Sequence, residues 1–131
     1  MAAAMRGGDA VAVFPEGVTT HGDVLLPFHA SLLQSALVCD ARIYPVALRY
    51  SRADGSLCVE ADYEGDKTLL ESLLQLITQP RVHLNLQFLP PIACAGMHRR
   101  ELADEAAQRI ATRLGLAAPY RRAGITRDPR A

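Results

Sequence analysis

A short block near the start of the chain combines residue types that recognise a polar or anionic group. A run of small apolar residues leads directly into Phe14-Pro15-Glu16-Gly17, and Thr19 and Thr20 follow. Glycine lets the backbone turn tightly and approach a ligand closely, while the carboxylate and hydroxyls supply hydrogen-bonding atoms. The block therefore predicts the wall of a binding site at the end of a strand, where α/β sheets hold their ligands.

Two interpretations of these polar side chains stay open. Glu16 either contacts a substrate directly or shapes the loop as a capping carboxylate, and the two roles are compatible. Thr19 and Thr20 either donate to a phosphate or cap the next turn, which is a common role of threonine. His21 lies beside them, but a loop histidine is more often simply solvated.

The segments around this block alternate between helix and strand patterns. The sequence predicts a helix ending at Gly7-Gly8, a buried strand at 9–14, a helix at 28–38, a strand at 42–50, an extended piece at 57–61, a helix at 67–78, a strand at 81–89 and a helix at 99–114 capped by Gly115. This order predicts an α/β domain over residues 1–118, with a layered mixed sheet and flanking helices. Residues 119–131 are rich in arginine and poor in apolar groups, which predicts a loose basic tail.

Two of the predicted strands carry additional information. Pro45 lies inside the strand at 42–50, and because proline cannot donate to a ladder, this strand lies at an edge, bulges or bends there. In the strand at 81–89, apolar residues alternate with His83, Asn85 and Gln87, which predicts one buried face and one solvated face. The helix that ends within the first eight residues suggests that the domain is incomplete at its N-terminus and that Met1 is not the true start.

Composition excludes several classes of function. The 131 residues include fourteen basic and fourteen acidic side chains and no tryptophan, which argues against a nucleic-acid partner. The three cysteines, Cys39, Cys58 and Cys94, form no C-x-x-C pair, so neither a metal site nor a disulfide framework is indicated and a reducing cytoplasm fits best. Apolar runs fall short of the roughly 18 residues needed to span a bilayer.

The block and several later segments together resemble the glycerolipid acyltransferases, the family of lysophosphatidic acid acyltransferases. The resemblance comprises Phe14-Pro15-Glu16-Gly17, Leu26-Pro27-Phe28, Ile43-Tyr44-Pro45-Val46-Ala47, Phe88-Leu89-Pro90-Pro91-Ile92 and Arg99-Arg100-Glu101-Leu102, in the family's order. It implies that Phe14, Pro15, Glu16, Gly17, Thr19 and Thr20 bind the acyl acceptor. It also implies that this chain is the C-terminal part of such an enzyme.

The family's catalytic base is a histidine followed, after four intervening residues, by aspartate, and no histidine of this chain has that neighbour. His98 precedes Asp104 by one residue too many, which on a helix rotates the carboxylate about 100° away. We therefore assign no catalytic residue within the chain and expect it to be inactive alone. His29-Ala30-Ser31 lacks the Gly-x-Ser-x-Gly elbow of a hydrolase.

The chain also departs from the family within the block. Val18 replaces a common threonine, and Thr19 stands where the family has arginine or threonine, so a charged grip on phosphate is missing. His29-Ala30 replaces a frequent Lys-Gly pair. These changes leave open an acceptor with a different head group.

The resemblance implies acyl transfer from acyl-CoA or acyl carrier protein to the hydroxyl of a lysophospholipid similar to 1-acylglycerol-3-phosphate, in phospholipid biosynthesis. No bound cofactor is expected, and we expect a cytoplasmic protein in peripheral contact with the inner face of the membrane. The alternative is a non-catalytic lipid-binding module or a truncated, inactive gene product. A membrane-binding role for the apolar helix at 67–78 or for the basic tail is a weaker possibility.

Overall fold

The computed structural model describes residues 1–58, 74, 77 and 81–119. Helix α1 spans Ala2–Arg6, a 3₁₀ helix Ala30–Leu33, α2 Gln34–Val38, β1 Arg42–Ile43, β2 Val46–Arg52, β3 Val82–Phe88, β4 Ile92–Ala93 and α3 Arg99–Leu114. These helices and strands confirm the predicted α/β class. None of the helices in the described part of the chain is long and apolar enough to cross a membrane.

Helix α3 has the predicted bounds. It begins after His98, whose backbone N–H donates to the Glu101 carboxylate at 2.9 Å, an acidic group well placed at a helix N-terminus. It ends at Gly115, which adopts the left-handed conformation with φ 69°, as a C-terminal cap requires. Its buried residues are Leu102, Ala103, Ala106, Ala107 and Ala111. Four of these five are alanines, so neighbouring elements approach the helix backbone closely.

The hydrophobic core lies between α3 and the helical segment formed by the 3₁₀ helix and α2. The buried cluster consists of Phe28, Leu33, Ala36, Ile92, Cys94, Leu102, Ala103, Ala106 and Ala107. The predicted helix at 28–38 is confirmed from Ala30 onward as the 3₁₀ helix followed by α2. Phe28, just before it, is buried and anchors the end of the preceding loop.

The proline in the predicted strand 42–50 divides that strand between two sheets. Strand β1 pairs antiparallel with β4, and β2, which begins immediately after Pro45, pairs antiparallel with β3. The prediction that the chain bends at this proline is confirmed, because Tyr44 and Pro45 lie outside both ladders. Strand β2 continues two residues past the predicted end, to Arg52.

The two faces of the β2–β3 sheet differ from the prediction: one face packs against α3, and the apolar face is exposed. Ala47 is only 1 % exposed, and the Arg49 guanidinium on the same face donates to the carbonyl of Leu114 at the end of α3, at 2.8 Å. The opposite face carries cross-strand apolar pairs at 46/88, 48/86 and 50/84. Leu84, Leu86 and Phe88 on that face are exposed.

The strand at 81–89 is confirmed as β3, and His83 is exposed as expected, but the prediction that its apolar face is buried was wrong. Helix α3 packs on the other face because Ala47 is small enough to admit it. As a result Gln87 is half-buried, its Nε2 donates to Asn85 at 2.9 Å and its Oε1 is buried without a hydrogen-bond partner.

The N-terminal segment matches the predictions in part. Helix α1 ends at Arg6 with Gly7 as its cap, as predicted. The predicted strand at 9–14 was wrong: these residues join no ladder and most are exposed, because no strand in the described ranges lies beside them. Among the described residues, the strands form two antiparallel pairs.

Other predictions fall largely outside the described residues. Leu57 forms an isolated antiparallel bridge with Ser51, but the predicted extended piece continues past residue 58. In the predicted helix at 67–78 only Leu74 and Ile77 are described, and both are helical and exposed. The predicted tail lies outside the described residues except for Pro119, so it remains a prediction.

The packing of α3 predicts that truncating a leucine in the core lowers the free energy of unfolding more than truncating a leucine on the exposed sheet face. Leu102 is completely buried, whereas Leu84 is half exposed on the open sheet face. We expect Leu102→Ala to lower the free energy of unfolding by about 2–5 kcal/mol, since it removes core contacts and leaves a cavity. Leu84→Ala should cost less than about 1 kcal/mol in the same urea titration. Equal losses would show that the sheet face is packed in solution.

Candidate functional site

The block at 14–17 forms a tight turn that opens the loop from residue 14 to residue 29. The Gly17 N–H donates to the Phe14 carbonyl at 3.3 Å, and Gly17 adopts φ 74°, in the region that favours glycine. At the far end of the loop, the His29 N–H donates to the Pro15 carbonyl at 2.7 Å. A backbone hydrogen bond therefore joins the two ends of the loop.

Glu16 holds the loop together from inside. One carboxylate oxygen, Oε2, accepts from the backbone N–H of Leu26 at 3.1 Å, ten residues away. The side chain is partly buried, and this burial raises the pKa of Glu16, an effect that the Leu26 hydrogen bond partly offsets. The structure thus gives Glu16 the loop-shaping role proposed above, and the bond engages one of its two oxygens. Direct contact with a substrate stays a prediction.

The two threonines of the block have different surroundings. Thr20 is half-buried and closes a local turn, because its Oγ1 donates to the Val24 carbonyl at 3.3 Å and accepts from the Gly22 N–H at 3.4 Å. Thr19 is exposed on the loop surface. The capping role is therefore observed for Thr20, while Thr19 is the hydroxyl more open to a ligand.

His29 lies at the site, although the sequence indicated it only as a departure from the family's Lys-Gly pair and as part of a rejected hydrolase motif. Its ring lies directly against Gly17: a Cβ atom added to Gly17 would lie 3.0 Å from His29 Cδ2 and 3.1 Å from Nε2. A Cβ atom at Gly17 would crowd the imidazole, and the positive φ also favours glycine there. The available signal was the position of His29 directly after Pro27-Phe28, where it departs from the family's frequent lysine. His21, the other loop histidine, is exposed.

The apolar members of the block do not form a buried wall. Phe14 is 79 % exposed, and Val18 and Val24 on the same loop are 63 % and 50 % exposed. Pro15 is half-buried between the turn and His29. The loop therefore leaves Phe14, Val18 and Val24 exposed and keeps the Glu16 carboxylate partly buried.

The charge of the loop is also distinctive. No lysine or arginine occurs between residues 7 and 41, whereas Glu16 and Asp23 both lie on the loop. Arginine and lysine are the side chains that usually neutralise a phosphate group. The local sequence therefore offers no permanent cation to a phosphate bound at this loop.

Three cysteines supply further reactive side chains. All three cysteines are free thiols, with Cys58 and Cys94 buried and Cys39 half-buried. Burial, and to a lesser extent the charge of Asp40, raises the pKa of the Cys94 thiol. Within the described ranges, no group of three histidine, cysteine or acidic residues is placed to hold a metal ion.

Comparison with known proteins places this loop in a family. Residues 1–49 match the protein family described as Acyltransferase. The chain is 39 % identical, over 120 residues, to a lyso-ornithine lipid O-acyltransferase of Pseudomonas aeruginosa, a match covering 91 % of this chain and 46 % of that protein. It is 33 % identical, over 85 residues, to a 1-acyl-sn-glycerol-3-phosphate acyltransferase of Neisseria gonorrhoeae, covering 65 % of this chain and 33 % of the relative.

A lyso-ornithine lipid O-acyltransferase of Brucella abortus is 27 % identical to the chain, with 43 % of the relative covered. The chain spans less than half the length of each of these relatives. No solved structure matches it. The match to residues 1–49 thus indicates the acyltransferase class of protein. Together with the relatives it supports a glycerolipid acyltransferase family, which confirms the resemblance found in the sequence.

Glu16 gives a prediction for the pH dependence of stability. Because its pKa is raised in the folded state, the folded chain binds a proton more tightly than the unfolded chain in the window between the usual glutamate pKa, about 4.3, and the raised value. Stability therefore falls as the pH rises through this window. Glu16→Gln keeps an oxygen for the Leu26 N–H and should abolish this fall in urea titrations between pH 4 and 7.

The matched control is Asp23→Asn, which removes an exposed carboxylate from the same loop. This variant should retain the decrease in stability with rising pH that the wild type shows. If Glu16→Gln and wild type respond identically to pH, burial of the Glu16 carboxyl does not govern its ionisation.

Proposed function

We propose that this chain is the acceptor-binding part of an enzyme that transfers an acyl chain to the hydroxyl of a lysolipid. Family membership and the lysolipid acyltransferase relatives support the reaction class. The donor would be acyl-CoA or acyl carrier protein, both thioesters. The protein would act in the cytoplasm, at the inner face of the membrane, where lysolipid acceptors lie.

Two acceptors are candidates within this proposal. One is 1-acylglycerol-3-phosphate, the acceptor that the sequence resemblance suggests. The other is a lysolipid with an amine-bearing head group, since two relatives are lyso-ornithine lipid acyltransferases and ornithine is a diamino acid. A phosphate monoester carries close to two negative charges at neutral pH. An amine carries one positive charge.

The cation-free loop favours the amine-bearing acceptor, and this observation carries the proposal. From residue 7 to residue 41 the chain has no lysine or arginine, and Glu16 and Asp23 contribute negative charge to the loop. Two carboxylates repel a phosphate dianion and attract an ammonium group. Thr19, exposed on the same loop, can serve the polar remainder of the head group.

Acyl transfer also needs a base. The acceptor hydroxyl loses its proton to the base as its oxygen attacks the thioester carbonyl, and the thiolate leaves and takes a proton. The 131-residue sequence lacks a histidine followed after four residues by aspartate. We assign that base to polypeptide outside this chain. The role of the 14–29 loop is to position the acceptor, which lowers the barrier by holding the reacting hydroxyl in place.

Acceptor binding tests the proposed head group. In calorimetric titrations with short-chain, monomeric lysolipids, we expect the chain to bind lyso-ornithine lipid at least about tenfold more tightly than lysophosphatidic acid, a difference of about 1.4 kcal/mol. Glu16→Gln should reduce the ratio of the two affinities, because it removes the negative charge of the side chain and keeps an oxygen for the hydrogen bond from the Leu26 N–H. A preference for lysophosphatidic acid would reject the amine-bearing acceptor.

Activity measurements separate the acceptor-binding part of an enzyme from a catalyst complete in itself. With acyl-CoA or acyl carrier protein and a lysolipid, we expect the purified chain to transfer no acyl group above the rate without protein. Transfer that is abolished by Glu16→Ala or His21→Ala would show that a base lies within the chain. Absence of both transfer and lysolipid binding at millimolar lipid would reject the proposed acceptor site and the alternative lipid-binding module together.

A further inference from the structure

One face of the β2–β3 sheet is apolar and open. The antiparallel register places three pairs of apolar residues side by side on the face opposite α3. We call these six residues the apolar sheet face: Val46, Leu48, Tyr50, Leu84, Leu86 and Phe88. The last four are exposed, and Phe88 is 76 % exposed. An antiparallel sheet that faces water on one side normally carries polar residues there, so this face has the composition of a surface that meets another apolar surface.

The residue types of the apolar sheet face fit a protein partner. None of its six members is charged, and two of them are aromatic. Depletion of charged residues and enrichment in tyrosine and phenylalanine distinguish the cores of protein–protein interfaces. The ladder between β2 and β3 also holds the six residues in place, so little backbone freedom is lost when a partner binds.

The described part of this chain leaves the apolar sheet face uncovered. Helix α3 packs on the opposite face, where Ala47 is buried. In the segment that links β2 to β3, the described apolar residues Leu74 and Ile77 are themselves 54 % and 68 % exposed. Residues packed on the sheet face would be buried against it. These two residues therefore do not cover the face.

Polypeptide of sufficient length to cover the face is present in the relatives. The match covers 46 % of the Pseudomonas aeruginosa relative, so more than half of that protein lies outside it. The proposed reaction also needs a base, which we assigned to polypeptide outside this chain. One further polypeptide satisfies both requirements, because it supplies the base and has the length to cover the apolar sheet face.

The apolar sheet face is connected to the 14–29 loop through the core. Phe88 lies at the end of the sheet next to Pro45. Ile43, on the other side of this proline, packs against the same core cluster as Val13 and Leu25. Val13 directly precedes the loop, and Leu25 belongs to it. The Phe88 end of the sheet is therefore the end that the core joins to the loop.

We propose that the apolar sheet face is the docking surface for the polypeptide that carries the catalytic base, so that the β2–β3 sheet lies between α3 and that polypeptide. The inference rests on the proposed function, because acyl transfer is the reaction that requires the base. It goes further in naming the surface through which the two parts of the enzyme associate. Docking there brings the base toward the loop that holds the acceptor.

Copurification tests this docking surface. The probe is the part of the Pseudomonas aeruginosa lyso-ornithine lipid O-acyltransferase that lies outside the match, coexpressed with the affinity-tagged chain. We expect a complex whose affinity Leu86→Glu lowers at least about tenfold, because a carboxylate replaces an apolar side chain in the interface. Leu74→Glu is the matched control, since Leu74 is 54 % exposed and Leu86 48 %, but Leu74 lies outside the face. Its affinity should stay within about twofold of wild type.

The isolated chain identifies any other occupant of the face. Leu86→Glu and Leu74→Glu should both keep the wild-type circular dichroism, because each leucine is half exposed. If Leu86→Glu alone unfolds the chain, the chain itself covers the face and the proposal is overturned. A homodimer that Leu86→Glu dissociates, detected by light scattering, would assign the face to a second copy and also overturn it. Phe88→Ser is a second variant that should weaken the complex, and absence of any complex with the wild-type chain rejects the proposal.

Acyl transfer by the complex separates this inference from the proposed function. With lyso-ornithine lipid and acyl-CoA or acyl carrier protein, the wild-type complex should transfer acyl chains, and Leu86→Glu should lower the rate in parallel with the affinity. Complex formation and transfer that are both unchanged by Leu86→Glu would reject the docking surface and leave the proposed function intact. A complex that depends on Leu86 but neither binds nor acylates a lysolipid would reject the proposed function and retain the docking surface.

Discussion

The close approach permitted by the alanine face of helix α3 is the constraint on which the rest of the structure depends. Ala103, Ala106 and Ala107 lie in the core with Leu102, and their small side chains admit the 3₁₀ helix on one side and β2 on another. Phe28 enters the same core. Because His29 follows it directly and its N–H donates to the Pro15 carbonyl, the packing of α3 fixes where the 14–29 loop ends.

The Glu16 carboxylate organises the loop, whereas a phosphate-binding loop usually has a lysine or arginine. Glu16 joins positions 16 and 26, His29 fills the space beside Gly17, and Thr20 closes the turn to Val24. Each of these contacts is local to the loop. A change of a few loop residues can therefore alter the polar surface of the loop without any change in the α3 core.

Sequence patterns predicted those elements whose signals are contained within a single segment. Helix α3 was predicted with both ends because its apolar period and Gly115 both lie within 99–115. The site block was found through its residue types and its resemblance to a family. The face of β3 was assigned incorrectly because alternation separates two faces but does not show which one meets a helix, and here Ala47 on the partner strand decides.

The segment at 9–14 was predicted wrongly, and the contact of His29 with Gly17 was not predicted, for the same physical reason. An apolar run becomes a strand only if another strand lies beside it, and none does so in the described part of the chain. His29 acquires its place from the space left by Gly17, twelve residues earlier, which no local period reports. Both depend on neighbours distant in sequence, and a single sequence without its relatives does not contain that information.

The reactivity of the three thiols reports whether the core of the chain is folded. Cys58 and Cys94 are buried, and the raised pKa of Cys94 keeps that sulfur protonated and a poor nucleophile, whereas Cys39 is partly open to solvent. A thiol-alkylating reagent will therefore modify the native chain first at Cys39. Modification of Cys94 reports that the interior beneath α3 has opened, so mass spectrometry of the alkylated chain distinguishes a variant with an altered surface from one that has lost its core.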